Sequence, residues 1–171
     1  MSDMTIIIGS DHAGYVLKSK LVSLLASSGL SVHDVGCQSS DVSSDYPLNA
    51  AAVCEKLLML TQVQPESQVV RGIIVCGSGV GVSIAANRFK GIRAVLSHDL
   101  HTAALSRLHN DTNVLCLGAR IIAPELAFAI VETWLSTSFE GERHQPRVDQ
   151  LDALLQVHKA QSHPVHGAGC C

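Results

Sequence analysis

Five short runs rich in β-branched or aliphatic residues, each followed by a stretch with helical spacing, restrict this chain to one class of fold. Thr5-Ile6-Ile7-Ile8, Leu30 to Val35, Gly72-Ile73-Ile74-Val75-Cys76, Ile92 to Leu96 and Val114-Leu115-Cys116-Leu117 read as buried strands. The first helical pattern runs from Tyr15 to Ala26, with Val16, Leu17, Leu21, Leu24 and Leu25 on one face and Gly29 closing it. Others run from Pro47 to about Leu60, from Gly81 to about Arg88, from Asp99 to Leu108, from Ala123 to Leu135, and from Arg143 to about Gln161. Strands separated each time by a helix pair in parallel, and a parallel sheet needs both faces covered. The expected fold is therefore α/β: a three-layer α/β/α Rossmann-like domain with a five-stranded parallel sheet and right-handed crossovers. Residues 1–161 read as one domain. Residues 162–171, which mix Pro, Gly and His without periodicity, read as a flexible tail.

The bulk properties agree with this and remove several functions. A chain of 171 residues can bury a full core without disulfides or a structural metal. Its net charge of −3 argues against nucleic acid and anionic membrane as partners, so any anion site must be local. No stretch approaches a membrane span, and Met1 to Thr5 has neither a basic region nor an apolar core, so the expected location is cytoplasmic. The six cysteines are then not a disulfide framework. Cys54 and Cys116 read as small buried hydrophobes, and the terminal pair Cys170-Cys171 as part of the tail.

In a parallel sheet of this kind the binding crevice lies beyond the carboxyl ends of the strands. That rim collects Asp11-His12, Cys76 to Gly81, Ser97-His98 and Gly118-Ala119-Arg120. Gly77-Ser78-Gly79-Val80-Gly81 joins a strand to a helix, so its amides can converge on an anion. It lacks the Lys-Ser/Thr of a nucleotide P-loop and the spacing of a dinucleotide fingerprint. Alone it is equally a tight strand-to-helix turn. Cys76 stands directly before it, where aligned amides favour a thiolate that could act as nucleophile, metal ligand or base. No second Cys at close spacing supports metal or redox chemistry, and position alone leaves a reactive and a merely buried Cys76 both open.

Other polar groups have plain structural readings too. Asp11 can cap the helix that follows it, and Arg107 to Asn113 can be a helix end with Asn/Asp turn chemistry. Arg143 and Arg147, four apart, share one face of the expected last helix, with His144 beside them, and could be a solvated basic face. His98-x-x-His101 has metal-like spacing but no evident carboxylate or Cys to complete a site.

Read in order, Ser10-Asp11-His12-Ala13-Gly14, Asp45-Tyr46-Pro47, Cys76 to Gly81 with Ser83-Ile84-Ala85-Ala86-Asn87, Gly91-Ile92-Arg93-Ala94, Arg107 to Asn113 and Gly141-Glu142-Arg143-His144 carry a resemblance. The chain resembles the ribose/galactose phosphosugar isomerase family in its ribose-5-phosphate isomerase type B branch, from Ile6 to about Leu155. The resemblance implies interconversion of ribose 5-phosphate and ribulose 5-phosphate through a cis-enediolate, with no metal and no cofactor. It implies a homodimer or dimer of dimers, with sites completed across the subunit interface. By motif, Cys76 is the base, the amides of Gly77, Gly79, Val80 and Gly81 face the enediolate, and Ser78 moves the proton between O1 and O2. His109 opens the sugar ring, Asp11 and Tyr46 orient hydroxyls, Asn110 binds the open chain, and His12, Arg120, Arg143 and Arg147 hold the phosphate. Two departures stand out: Glu142 replaces a Gly common in relatives, and the tail from His163 to Cys171 has no counterpart.

Rival readings are a phosphohexose isomerase acting on allose 6-phosphate or galactose 6-phosphate, and a non-catalytic phosphosugar-binding domain. The latter would not need Cys76, Ser78 and His109 together. A flavodoxin-like nucleotide module would need an aromatic-lined or ribose-clamping loop, and the one Trp, Trp134, falls on a helix instead.

Overall fold

The computed structural model describes residues 4–63 and 68–160. The tail at 162–171, with Cys170, Cys171, His163 and His166, lies outside the described residues. Five strands form one all-parallel sheet: β1 (Met4–Ser10), β2 (Ser31–Asp34), β3 (Val69–Cys76), β4 (Ala94–Leu96) and β5 (Val114–Gly118), in the order β2-β1-β3-β5-β4. The helices are α1 (Tyr15–Ser27), α2 (Tyr46–Val63), α3 (Val80–Ala86), α4 (Leu100–Asn110), α5 (Pro124–Ser136) and α6 (Gln145–Ala160), the last preceded by a 3₁₀ turn at Glu142–His144.

Side chains alternate across the sheet, as the twofold period of a strand requires. Ile6, Ile8, Ile73, Val75, Leu115 and Leu117 face one way, packing with α1, α5 and Ala103 of α4. Ile7, Ile74, Cys76, Val114 and Cys116 face the other, packing with α2 and α3. The three layers expected from the sequence are therefore present. Trp134 is fully buried in the first of these cores and donates its indole N–H to Thr112 Oγ1 at 2.9 Å, so it offers no stacking platform for a base.

Element boundaries differ from the sequence expectation by up to three residues, and two of these shifts have a visible cause. Strand β3 starts three residues earlier, at Val69, because Arg71 sits inside it as a partly buried residue. Burial there, with Arg107 and Arg93 nearby, lowers the Arg71 pKa to about 10. The last helix starts at Gln145, not at Arg143. Gly141 (φ 69°) and Glu142 (φ 41°) take left-handed backbone, which an α-helix cannot continue through, and Pro146 falls in the first turn, where its missing N–H costs nothing. Arg143 therefore lies outside α6 and Arg147 within it, so the pair does not share one helical face by spacing. A φ of that sign suits Gly; here an exposed Glu takes it.

Going outward from β1, the chain turns to β2 on one side and to β3 on the other. The crevice of an open parallel sheet forms at such a reversal, beyond the carboxyl ends. Ser10 and Cys76, the last residues of β1 and β3, flank it.

Candidate active site

At this crevice a cleft of about 380 Å³ is lined by Asp11, His12, Ala13, Tyr46, Cys76, Gly77, Ser78, Gly81, Arg120 and Ile121. Cys76 is 5% exposed, which makes it buried by area but open to the cleft. Its Sγ accepts the Gly79 N–H at 3.1 Å, a bond that needs the turn to double back, and Gly79 does so at φ 79°. A Cβ on Gly79 would meet Leu96 Cδ1 at 2.4 Å, so the position is closed to any side chain on steric grounds as well. Ser78 Oγ accepts the Val80 N–H at 3.3 Å. Two amides of the turn thus already bond to side chains of the turn itself.

The other cleft residues are held as firmly. Asp11 accepts the Gly14 N–H at 2.9 Å through Oδ1, so it fixes the turn into α1 while lining the cleft. His12 Nδ1 lies 3.2 Å from the Ser44 N–H and 3.4 Å from the Ser44 carbonyl oxygen, so the backbone of Ser44 holds the ring in place. Tyr46 opens α2, and its ring lies on Gly81: a Cβ there would come within 2.7 Å of Cε2. Arg120 follows β5 and crosses Gly77, with Cδ and Nη1 3.5 Å from where a Cβ would stand. The other described cysteines, Cys37, Cys54 and Cys116, do not line this cleft. Cys37, Cys54, Cys76 and Cys116 are free thiols; burial pushes the Cys54 thiol up to about 12 and raises that of Cys116 well above its ordinary value.

His109, Asn110, Arg143 and Arg147 are not in this cleft. Helix α4 starts near the carboxyl rim and runs back along the sheet, so its last turn stands beside the start of β5, roughly 15 Å away by helical rise. There the His109 and His144 rings stack, centroids 4.3 Å apart and planes within 13°. His144 Nε2 accepts Arg143 Nε–H at 3.1 Å and lies 3.4 Å from Glu140 Oε2. Desolvation, then the charges of His109 and Arg143, hold the His144 pKa below its ordinary value. Asn110 lines a different hollow, about 420 Å³, between β4, α4 and α6. The last turn of α4 is anchored by Asp111, in left-handed backbone, which accepts from Arg93 and Arg107 at 2.7 Å each.

Sequence reasoning did not single out two histidines that the structure does. His144, in the motif beside Arg143, buttresses His109. His98, noted only for its spacing to His101, donates from Nε2 to the Ser78 carbonyl at 3.2 Å. Among the described residues, His109, Glu140 and His144 are the only three potential ligands grouped as for a metal, with ligating atoms within 4.8 Å of one another. A tetrahedral zinc site brings its ligand atoms to about 3.4 Å. Arg143 already bonds His144, and the charge of Arg147 acts on the same ring.

The family model of the ribose/galactose isomerases matches residues 6–151. The chain belongs to that family. It is 45% identical over 151 residues to ribose-5-phosphate isomerase B of Escherichia coli K12, covering 88% of this chain and 96% of that protein. The fold is similar to that of ribose-5-phosphate isomerase B from Clostridium thermocellum, with TM-score 0.82, 40% identity, and coverage of 91% of this chain and 99% of that one. It is equally similar, at TM-score 0.82 and 36% identity, to the enzyme of Mycoplasma genitalium with bound ribulose 5-phosphate, covering 93% and 99% of the two chains. A shared family explains why the cleft residues arrive from separate strand ends: the sheet, not local sequence, gathers them. No helix among the described residues is long and apolar enough to cross a membrane.

Proposed function

We propose that this chain interconverts ribose 5-phosphate and ribulose 5-phosphate, and that each active site joins the Cys76 cleft of one copy to the His109 end of another. The observation that carries the reading is Cys76 itself: it opens onto a cleft, on a glycine turn, with His12 and Arg120 contributed by the flanking strand ends. With the open-chain aldose bound, the Cys76 thiolate takes the C2 proton, and the electron pair becomes the enediolate C1–C2 double bond as negative charge moves to O1. Ser78 Oγ passes a proton from O2 to O1. The thiol then returns its proton to C1, leaving a ketone at C2 and a regenerated thiolate.

The developing oxyanion needs donors already in place, each typically worth about 3–4 kcal/mol. The Gly79 N–H is bonded to the sulfur and the Val80 N–H to Ser78. Donation to the enediolate therefore falls first to the amides of Gly77 and Gly81, with the weaker Val80–Ser78 contact free to exchange. Asp11 and Tyr46 orient sugar hydroxyls. His12 and Arg120 hold the phosphate from the cleft side; a guanidinium matches a phosphate in geometry and charge.

His109, Asn110, Arg143 and Arg147 complete the site from a second copy, as the separation of the two groups within one chain requires if both serve one substrate. His109 works as the ring-opening acid and base, Asn110 binds the open chain, and the two arginines close on the phosphate. A homodimer is the smallest assembly that does this, and a dimer of dimers repeats it. The reaction needs no metal or cofactor in this scheme. We place the enzyme in the cytoplasm, a reading supported by the free thiols, and treat residues 1–161 as one catalytic domain.

The test is an assay of ribulose 5-phosphate formation with EDTA present, alongside allose 6-phosphate. Turnover of the pentose should exceed that of the hexose, and Cys76→Ala should cut kcat by about 10²–10⁴-fold. A variant as active as the parent would remove Cys76 from the mechanism, and activity that EDTA abolishes and a divalent ion restores would remove the metal-free scheme.

A further inference from the structure

The Ser78–Gly79 peptide connects two side chains that are far apart in sequence. Its N–H reaches the Cys76 sulfur at 3.1 Å, while its carbonyl reaches His98 Nε2 at 3.2 Å. A trans peptide points these two groups in opposite directions, and no cis bond occurs among the described residues, so one planar unit is gripped at both ends. A carbonyl only accepts, so His98 Nε2 carries the hydrogen.

That orientation is not the only one open to the turn. Residue 79 is a glycine at φ 79°, and rotation about the bonds either side of the 78–79 peptide would exchange the carbonyl and N–H directions at little steric cost to the glycine. Flipped, the unit would present a carbonyl oxygen to the sulfur and repel a thiolate. The surroundings limit this only partly: the Ser78 oxygen lies against Gly118, 2.6 Å from where a Cβ would stand. The polar group fixing the carbonyl is His98, from the turn between β4 and α4.

We propose that His98 is a positioning residue for Cys76: by holding the Ser78 carbonyl, it keeps the Gly79 N–H aimed at the sulfur and polarises that N–H toward it. Hydrogen bonds in series strengthen one another, and a donor on the carbonyl makes the amide a better donor at its other end. His98 touches no reacting atom; it acts through one peptide. It rests on the reading of Cys76 as the base for its effect on turnover, but not for its effect on the thiol.

The closing experiment uses the full chain and separates those two. The probe is iodoacetamide, and the alkylation rate is followed on the Cys76 peptide by mass spectrometry, so that other thiols do not contribute. His98→Ala should slow Cys76 alkylation about three- to tenfold, the usual worth of one hydrogen bond. It should lower kcat on ribose 5-phosphate by a similar factor and leave KM little changed. His98→Gln, which carries an amide N–H where Nε2 stands, should restore most of both. His98 is only half buried, so both variants should fold, which circular dichroism checks. Unchanged alkylation in His98→Ala, or a Gln variant as slow as the Ala variant, would overturn the proposal. If the parent fails to turn over ribose 5-phosphate yet shows the alkylation contrast, the isomerase reading falls and the role of His98 stands.

Discussion

Gly81 shows how much of the cleft depends on an atom that is not there. A single methyl at this position would come within 2.7 Å of the Tyr46 ring. Since Tyr46 is 44% exposed, the ring can swing outward and the fold need not suffer. Gly81→Ala should therefore raise KM for ribose 5-phosphate about tenfold, the loss of one well-made contact, while the melting temperature stays within a few degrees. A steady-state titration beside a thermal melt checks this; a large drop in stability with an unchanged KM would show that the ring has no substrate role. His144 makes a second residue-level case. Its pKa is depressed in the folded chain, so the unfolded chain binds a proton more readily. Stability is then intact above the ordinary value of 6.5 and declines as pH falls below it. The loss of melting temperature between about pH 7.5 and about pH 5.5 should be larger in the parent than in His144→Phe, which keeps a flat ring but cannot titrate. Equal losses would contradict this. At this scale the sequence was informative where residues are neighbours along the chain. Cys76 and its glycines could be read directly, whereas the His109–His144 stack joins α4 to a 3₁₀ turn 35 positions further on, and the His98 contact uses a backbone carbonyl that no side-chain pattern encodes.

The elements were more legible than the contacts between them. A twofold or 3.6-residue period is a local property, and it placed all five strands and six helices in order. Two of the shifted boundaries, at Arg71 and at Arg143, have one cause in common: a tertiary environment overrode the local pattern. In the first, the sheet accepts a charged residue at the mouth of a central strand; in the second, a left-handed pair at Gly141-Glu142 delays the helix. A third feature of this kind is Lys18, fully buried on α1, with its Nζ on Asp34 Oδ2 at 2.6 Å and on the Cys37 carbonyl at 2.8 Å. It ties α1 to the end of β2 and to the loop leading towards His12's partner Ser44. Lys18→Met keeps the aliphatic stem but strands a carboxylate and a carbonyl. Because Asp34 retains 26% exposure, the expected cost is about 2 kcal/mol, less than for a fully buried pair. Urea unfolding measures it, and adding Asp34→Asn should return part of the loss. A lysine variant as stable as the parent would mean that the pair contributes no net stability.

On the scale of the whole molecule, the site residues fall into two groups at opposite rims of one sheet. Asp11, His12, Tyr46, Cys76, Ser78 and Arg120 share the cleft; His109 and Arg143 stand together at the far end of α4. A sequence states which residues a family uses but not which rim each occupies, because that depends on strand order and helix direction. The two-rim arrangement is what turns the list of residues into the proposed assembly, in which one chain would supply the base and its partner the ring-opening histidine. Mixing two inactive variants measures this directly. Cys76→Ala and His109→Ala chains, unfolded together and refolded, should form mixed dimers in which one of two sites is intact. With random pairing, roughly a quarter of the parent's activity should return, while neither variant regains any alone. If both groups served a single site within one chain, the mixture would remain as inactive as its components, and that result would contradict the shared site.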